Sequence, residues 1–195
     1  MTNAIPRIEL PRGRLLIVGT GAFEVIMLPH WVMLLQKWYG WSIRVCLTHA
    51  ADELVSRQAI AAVTGTPVAG PKWPTELGGV PHQELAEWAD LVFVFPATTN
   101  FVAKCALGIA DSLALNTVIN AEVPVVFAPA IPAAALRRPA VQRNLKTLEQ
   151  EGYHVVPGQP GLEVHNRQEG VGLTSDIGGA LLLTAKLLGP RPEGA

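Results

Sequence analysis

Two short runs, Leu91-Val92-Phe93-Val94-Phe95 and Val123–Phe127, are apolar at every position, and they constrain the fold more than any other feature. A strand with one wet face alternates apolar and polar residues. A strand apolar on both faces is covered on both, which is the situation in a parallel sheet between two helical layers. Three further strand candidates are Arg14–Val18, Ser42–Leu47 and His154–Val156. Between and after the strands lie helical patterns at Ala22–Trp38, Ala51–Thr64, Gln83–Trp88, Phe101–Leu115, Ala140–Gln150 and Asp176–Leu188. Ser175–Asp176 offers N-cap chemistry for the last, and Gly189–Pro190 stops it. The expected fold is α/β: a single doubly wound, Rossmann-like parallel sheet with helices on both faces, with a flavodoxin-like strand order among the options. Ligands in such folds bind at the carboxyl ends of the strands.

With 195 residues and no repeat or linker, the chain reads as one domain over 1–195, with 1–12 and 190–195 as loose ends. Hydrophobic residues make up 49% and charged residues 16%, which excludes a disordered chain. A formal net charge of -1 without a basic run gives no electrostatic footprint for nucleic acid or an anionic membrane. Leu15–Leu35 is apolar enough to resemble a membrane span. Glu24, Pro29, His30 and the Gly19–Gly21 pair interrupt it, so it reads as a buried strand feeding a helix. Cys46 and Cys105 lie in apolar stretches without metal-ligand spacing, so no metal is expected and both read as small buried residues. Two cysteines without a secretory signal suggest the cytoplasm.

The first strand runs directly into Gly19-Thr20-Gly21-Ala22 and a helix. Glycines let a ligand approach the backbone, a helix start offers free N–H groups, and Thr20 adds a hydroxyl. An ordinary tight turn between strand and helix is an equal reading of the same residues. Glu24 stands where a dinucleotide fingerprint has its third glycine, and no Lys-Ser/Thr pair follows. The turn therefore suits a mononucleotide phosphate better than a pyrophosphate or a nucleoside triphosphate.

Downstream, Pro81-His82-x-x-Leu85-x-x-Trp88-Ala89-Asp90, Pro96-Ala97-Thr98-Thr99-Asn100, Gly108–Leu113 and Pro139–Leu145 occur in order. Together they resemble the homo-oligomeric flavin-containing cysteine decarboxylases, which include phosphopantothenoylcysteine decarboxylases and the peptidyl-cysteine decarboxylases of lantibiotic and related peptide biosynthesis. The likeness runs over roughly residues 13 to 160. It implies FMN as cofactor, held by Gly19, Thr20, Gly21, Thr48, Thr98, Thr99, Asn100 and Ala130. Helix capping is the other use of Thr98 or Thr99, and the two uses are compatible. The resemblance makes His82 the catalytic base, a task imidazole performs near neutral pH; alone, a histidine there reads as a cap or surface residue.

The chain departs from the family pattern twice. Pro129-Ala130-Ile131-Pro132 occupies the place of a Pro-x-Met-Asn motif, so the asparagine implied for the substrate carboxylate is Pro132. The substrate-contacting set is then Ile131, Pro132 and Arg137, with Arg138 beside it, although arginines there also read as a solvated loop. Second, Gly158–Gly172 contains no cysteine, whereas phosphopantothenoylcysteine decarboxylases carry one in this flap. The expected reaction is therefore FMN-dependent oxidative decarboxylation of the C-terminal cysteine of a precursor peptide to an aminoenethiol. The alternatives are phosphopantothenoylcysteine decarboxylation in coenzyme A synthesis and a non-catalytic flavin-binding regulator. The resemblance also implies a homo-oligomer, trimer or dodecamer, for which the apolar first helix (Met27, Leu28, Trp31, Leu34, Leu35) is a candidate surface.

Overall fold

The computed structural model describes residues 5–73, 79–163 and 168–189. Strand β1 (Arg14–Gly19) enters a 3-10 turn at Phe23–Met27, which converts into α1 (Leu28–Tyr39). There follow β2 (Ser42–Leu47), α2 (His49–Asp52), α3 (Arg57–Thr64), α4 (Pro81–Trp88), β3 (Leu91–Thr98), α5 (Thr99–Ala106) and α6 (Leu113–Ile119). The chain continues through β4 (Val125–Ala130), α7 (Ala133–Leu136), α8 (Pro139–Gln150), β5 (His154–Val155), β6 (Gln159–Glu163), β7 (Gln168–Thr174) and α9 (Ile177–Leu188).

Five strands form one parallel sheet in the order β2-β1-β3-β4-β5, the flavodoxin order. All five lie where the apolar runs place them. Leu15, Ile17, Phe93 and Phe95 face one buried cluster, whereas Leu16, Val18, Val92, Val94 and Phe127 face the other. Each fully buried Phe or Leu contributes roughly 1.5–3 kcal/mol relative to exposure, which explains why β3 tolerates no polar residue before Thr98.

Three helices expected to be continuous are broken, each by a local cause. Pro29 lacks an N–H and sits in the first turn of α1, so the preceding segment closes as a 3-10 turn. Ser56 accepts from Ala59 N–H at 3.1 Å and starts α3 afresh after α2. Gly108, at φ 66, ends the α5 segment in a conformation other residues avoid, and Ser112 caps α6.

The N-terminal arm is a correction. Of the residues expected to be loose, 5–12 are tied down: Ile8 is buried in the core, Tyr39 donates its hydroxyl to the Pro6 carbonyl, and Arg12 pairs with Asp90 at 2.7 Å. The loose-end expectations for 1–4 and 190–195 lie outside the described residues. So does the middle of the expected clamp, 164–167, including His165; what flanks it is an antiparallel ribbon of β6 and β7, with β7 against α7 and β4.

Candidate flavin site at the switch point of the sheet

The chain leaves β1 towards β2 and returns across β1 to β3, so the strand order reverses between β1 and β3. In doubly wound sheets the connections diverge at such a reversal, and the crevice outside the carboxyl ends of the two strands is where ligands bind. Gly19-Thr20-Gly21 closes β1 on one side of that crevice, and Thr98-Thr99-Asn100 opens α5 on the other.

The Gly19–Gly21 loop is pressed against the end of β2. A Cβ on Gly19 would come within 2.7 Å of Leu47 Cδ2, and one on Gly21 within 2.4 Å of Ala50 Cβ. Thr48 N–H donates to the Gly19 carbonyl at 3.0 Å, while the Thr48 hydroxyl caps α2 by accepting from Ala51 N–H at 3.4 Å. Thr20 is buried, and its hydroxyl donates to the Pro96 carbonyl at 2.7 Å and accepts from Thr98 N–H at 2.9 Å. A threonine has one O–H. The expectation that Thr20 supplies a phosphate donor is thereby corrected: its donor is spent on β3, and its part is to hold the two sides of the crevice together.

Thr98 caps α5, its hydroxyl accepting from Phe101 N–H at 3.3 Å, so the capping use is the one seen directly. The Thr99 side chain is half-buried and that of Asn100 exposed. The first-turn N–H groups of α5 have no intrahelical carbonyl to bond, and the helix dipole adds partial positive charge there. Ala130 pairs with Thr98 in register, extending the same edge onto β4. Ile131 behind it is buried, Pro132 is the exposed N-cap of α7, and Arg137 ends α7 with its side chain exposed. The arrangement fits a mononucleotide flavin: a tight glycine turn and a helix start for the phosphate, with hydroxyl and amide groups at hand for the ring edge.

His82 stands apart from this cradle. It occupies the first turn of α4, and no hydrogen bond among the described residues joins it to Thr98, Thr99 or Asn100. Its Nδ1 is buried without a hydrogen-bond partner. Its ring meets Trp73 edge-on, with centroids 5.5 Å apart and planes at 83°. Trp73 and Pro81 also line a cavity of ≈ 860 Å³ with Arg44, Arg57, Val68 and Leu85. Trp73 and Ala50 border the candidate residues without being singled out by the sequence, and Pro96, part of the Pro96–Asn100 motif, takes part through its carbonyl. Trp73 alone carried a signal, being a large aromatic in the Gly70-Pro71-Lys72 turn.

Burial pushes both the Cys46 and Cys105 thiols up to about 12, against a smaller opposing effect of Arg57 on Cys46. A thiol so protonated is a packing group, not a nucleophile.

A flavodoxin-order sheet whose switch point is built from a glycine turn and a polar helix start defines an FMN-type nucleotide-binding α/β protein. The chain belongs to the Flavoprotein family, matching it over residues 4–184, and its place within that family is among the flavin-containing cysteine decarboxylases, with FMN as cofactor. It is 37% identical to the FMN-dependent cysteine decarboxylase SpaF, with a TM-score of 0.75 over 88% of this chain and 97% of that one. It is 32% identical to the FMN-dependent cysteine decarboxylase TvaF from thioviridamide biosynthesis, with a TM-score of 0.70 over 73% of this chain and 88% of that one. Among curated proteins, it is 37% identical to the coenzyme A biosynthesis bifunctional protein CoaBC of Vibrio cholerae serotype O1 over 115 residues, 58% of this chain. The chain spans only 29% of the length of that relative. Among the described residues, no helix is long and apolar enough to cross a membrane.

Proposed function

We propose that this chain is a cytoplasmic peptidyl-cysteine decarboxylase, converting the C-terminal cysteine of a precursor peptide to an aminoenethiol with loss of carbon dioxide and two hydrogens. The observation that carries this reading is the likeness to SpaF, which covers 97% of that cysteine decarboxylase. The sequence adds a second support: Cys46 and Cys105 are its only cysteines, so the 158–172 flap has no thiol with which to reduce an enethiol product.

FMN, when bound, would supply the two-electron acceptor that oxidative decarboxylation of a cysteine requires. The chain's own groups then have distinct tasks. His82 takes the thiol proton. Gly19, Thr20, Gly21, Thr48, Thr98, Thr99, Asn100 and Ala130 form the cofactor cradle, with Thr20 as the brace that joins its two sides through Pro96 and Thr98. Ile131, Pro132 and Arg137, at the β4–α7 corner beside β7, contact the peptide end, with Arg137 as the cation for its carboxylate. The active form is a homo-oligomer, a trimer or dodecamer. Leu28 and Leu35 are buried within the chain, but Met27 is exposed beside Phe23, Ile26 and Met33, leaving an apolar stripe on this segment for a neighbouring copy.

Incubating the FMN-loaded protein with synthetic peptides ending in cysteine, and reading mass, tests the proposal. The expected product is lighter by carbon dioxide and two hydrogens. The CoaBC likeness supports a second reading, decarboxylation of phosphopantothenoylcysteine. Turnover of that small substrate with no turnover of any peptide would select it.

A further inference from the structure

We infer that Trp73 is the residue that positions the His82 imidazole, an inference that rests on the reading of His82 as the base. A working histidine is ordinarily oriented through its second nitrogen, by an N–H donated to a carboxylate or carbonyl. His82 has no such partner among the described residues. Its Nδ1 is shut off from solvent and unpaired, which leaves Nε2 as the nitrogen through which a proton passes. A ring without a hydrogen-bonded anchor must be held by packing. The contact that does so is the edge-to-face pairing with Trp73, at 5.5 Å between centroids and 83° between planes. Such pairs have a preferred geometry because the positive edge of one ring meets the negative face of the other, and they are worth about 0.5–1.5 kcal/mol beyond area burial.

Trp73 is not placed there by the core. It is 44% exposed and belongs to neither buried cluster. Its chain position is instead fixed by the turn before it, where Arg57 binds the Gly70 and Val68 carbonyls and Asp52 at once. The indole also lines the ≈ 860 Å³ cavity next to Pro81, the residue preceding His82. It therefore stands between an open cavity and the proposed base, where an aromatic wall sets ring orientation without adding a charge.

The test compares Trp73→Phe, Trp73→Leu and His82→Asn in the FMN-loaded protein. Ring-labelled histidine NMR identifies the His82 signals by their loss in His82→Asn, and needs no substrate. Trp73→Phe is expected to keep a ring-current displacement of those signals and turnover of C-terminal-cysteine peptides within about threefold of wild type. Trp73→Leu is expected to lose the displacement and to lower kcat roughly 10–100-fold with KM within twofold, since small misplacements cost that much. FMN content should stay equal in all three. Unchanged His82 signals in Trp73→Leu overturn the inference, as does full turnover by Trp73→Leu where His82→Asn is dead. Full turnover by His82→Asn overturns instead the reading of His82 on which the inference rests.

Discussion

The Thr20 hydroxyl and the Thr98 backbone N–H are joined at 2.9 Å across the switch point, while the same hydroxyl donates to the Pro96 carbonyl at 2.7 Å. One buried side chain therefore sets the distance between the glycine turn on β1 and the helix start on β3. Replacing Thr20 with valine keeps the shape but strands the buried Pro96 carbonyl, at about 1–3 kcal/mol when unsatisfied, and the part-buried Thr98 N–H, at the lower end of that range. Thr20→Val is expected to lower stability by roughly 2–4 kcal/mol and to reduce FMN per chain, whereas Thr20→Ser retains both. Denaturant unfolding and the visible spectrum read the two effects; wild-type stability in Thr20→Val would remove the link assigned here.

The close approach of Gly21 to Ala50 gives a rescue experiment. Alanine at 21 would put two methyl groups 2.4 Å apart, so the β2–α2 turn must move. Overpacking of this kind costs typically 1–3 kcal/mol. Gly21→Ala is expected to lose that much stability along with FMN affinity, and Gly21→Ala combined with Ala50→Gly to recover most of both. A double variant no better than the single one would place the steric conflict elsewhere.

His82→Asn is expected to lower peptide turnover by about 10²–10⁴-fold, the usual contribution of a general base. Its absorbance near the flavin bands should be unchanged, because His82 stands outside the Gly19–Gly21 and Thr98–Asn100 cradle. Loss of colour together with loss of turnover would assign His82 to cofactor binding instead.

Asp90 anchors the start of β1. Burial alone would raise its carboxyl, but the side-chain hydrogen bond from Arg12 and the backbone N–H groups of Arg14 and Arg12 outweigh burial and hold it below the usual carboxylate value. A folded-state value that is depressed adds stability above the unfolded value of about 4, and this is lost as pH falls through the lowered value. The stability difference between wild type and Asp90→Asn should thus be largest near neutrality and shrink in acid below about pH 4. A pH-independent difference in urea midpoints would contradict the assignment.

Cys46 and Cys105, both with thiols pushed to about 12 by burial, should resist a thiol reagent at pH 8 in the folded protein. Both should react once the chain is unfolded in denaturant. Rapid labelling of either in the native protein would show that its shell opens.

The local sequence determined the layers. Leu91–Phe95 and Val123–Phe127 admit no solvent-facing side, so a sheet covered on both faces followed directly, as did glycine and polar residues where strands end. The capping role of Thr98 and the flavin motifs were within its reach for the same reason, since each depends on residues adjacent in the chain, whereas the strand order, left open by the sequence, rests on pairings such as Leu15 with Leu91. What the tertiary structure alone decided involves residues far apart. Thr20 reads as a phosphate donor until β3 is seen to claim its hydroxyl 76 residues away, and the arm reads as loose until Asp90 is seen to hold Arg12. Trp73 gains its meaning only from the ring of His82. A side chain's donors and faces are finite, and which partner takes them is settled by whatever the fold brings within about 3–6 Å, a quantity that sequence spacing does not contain.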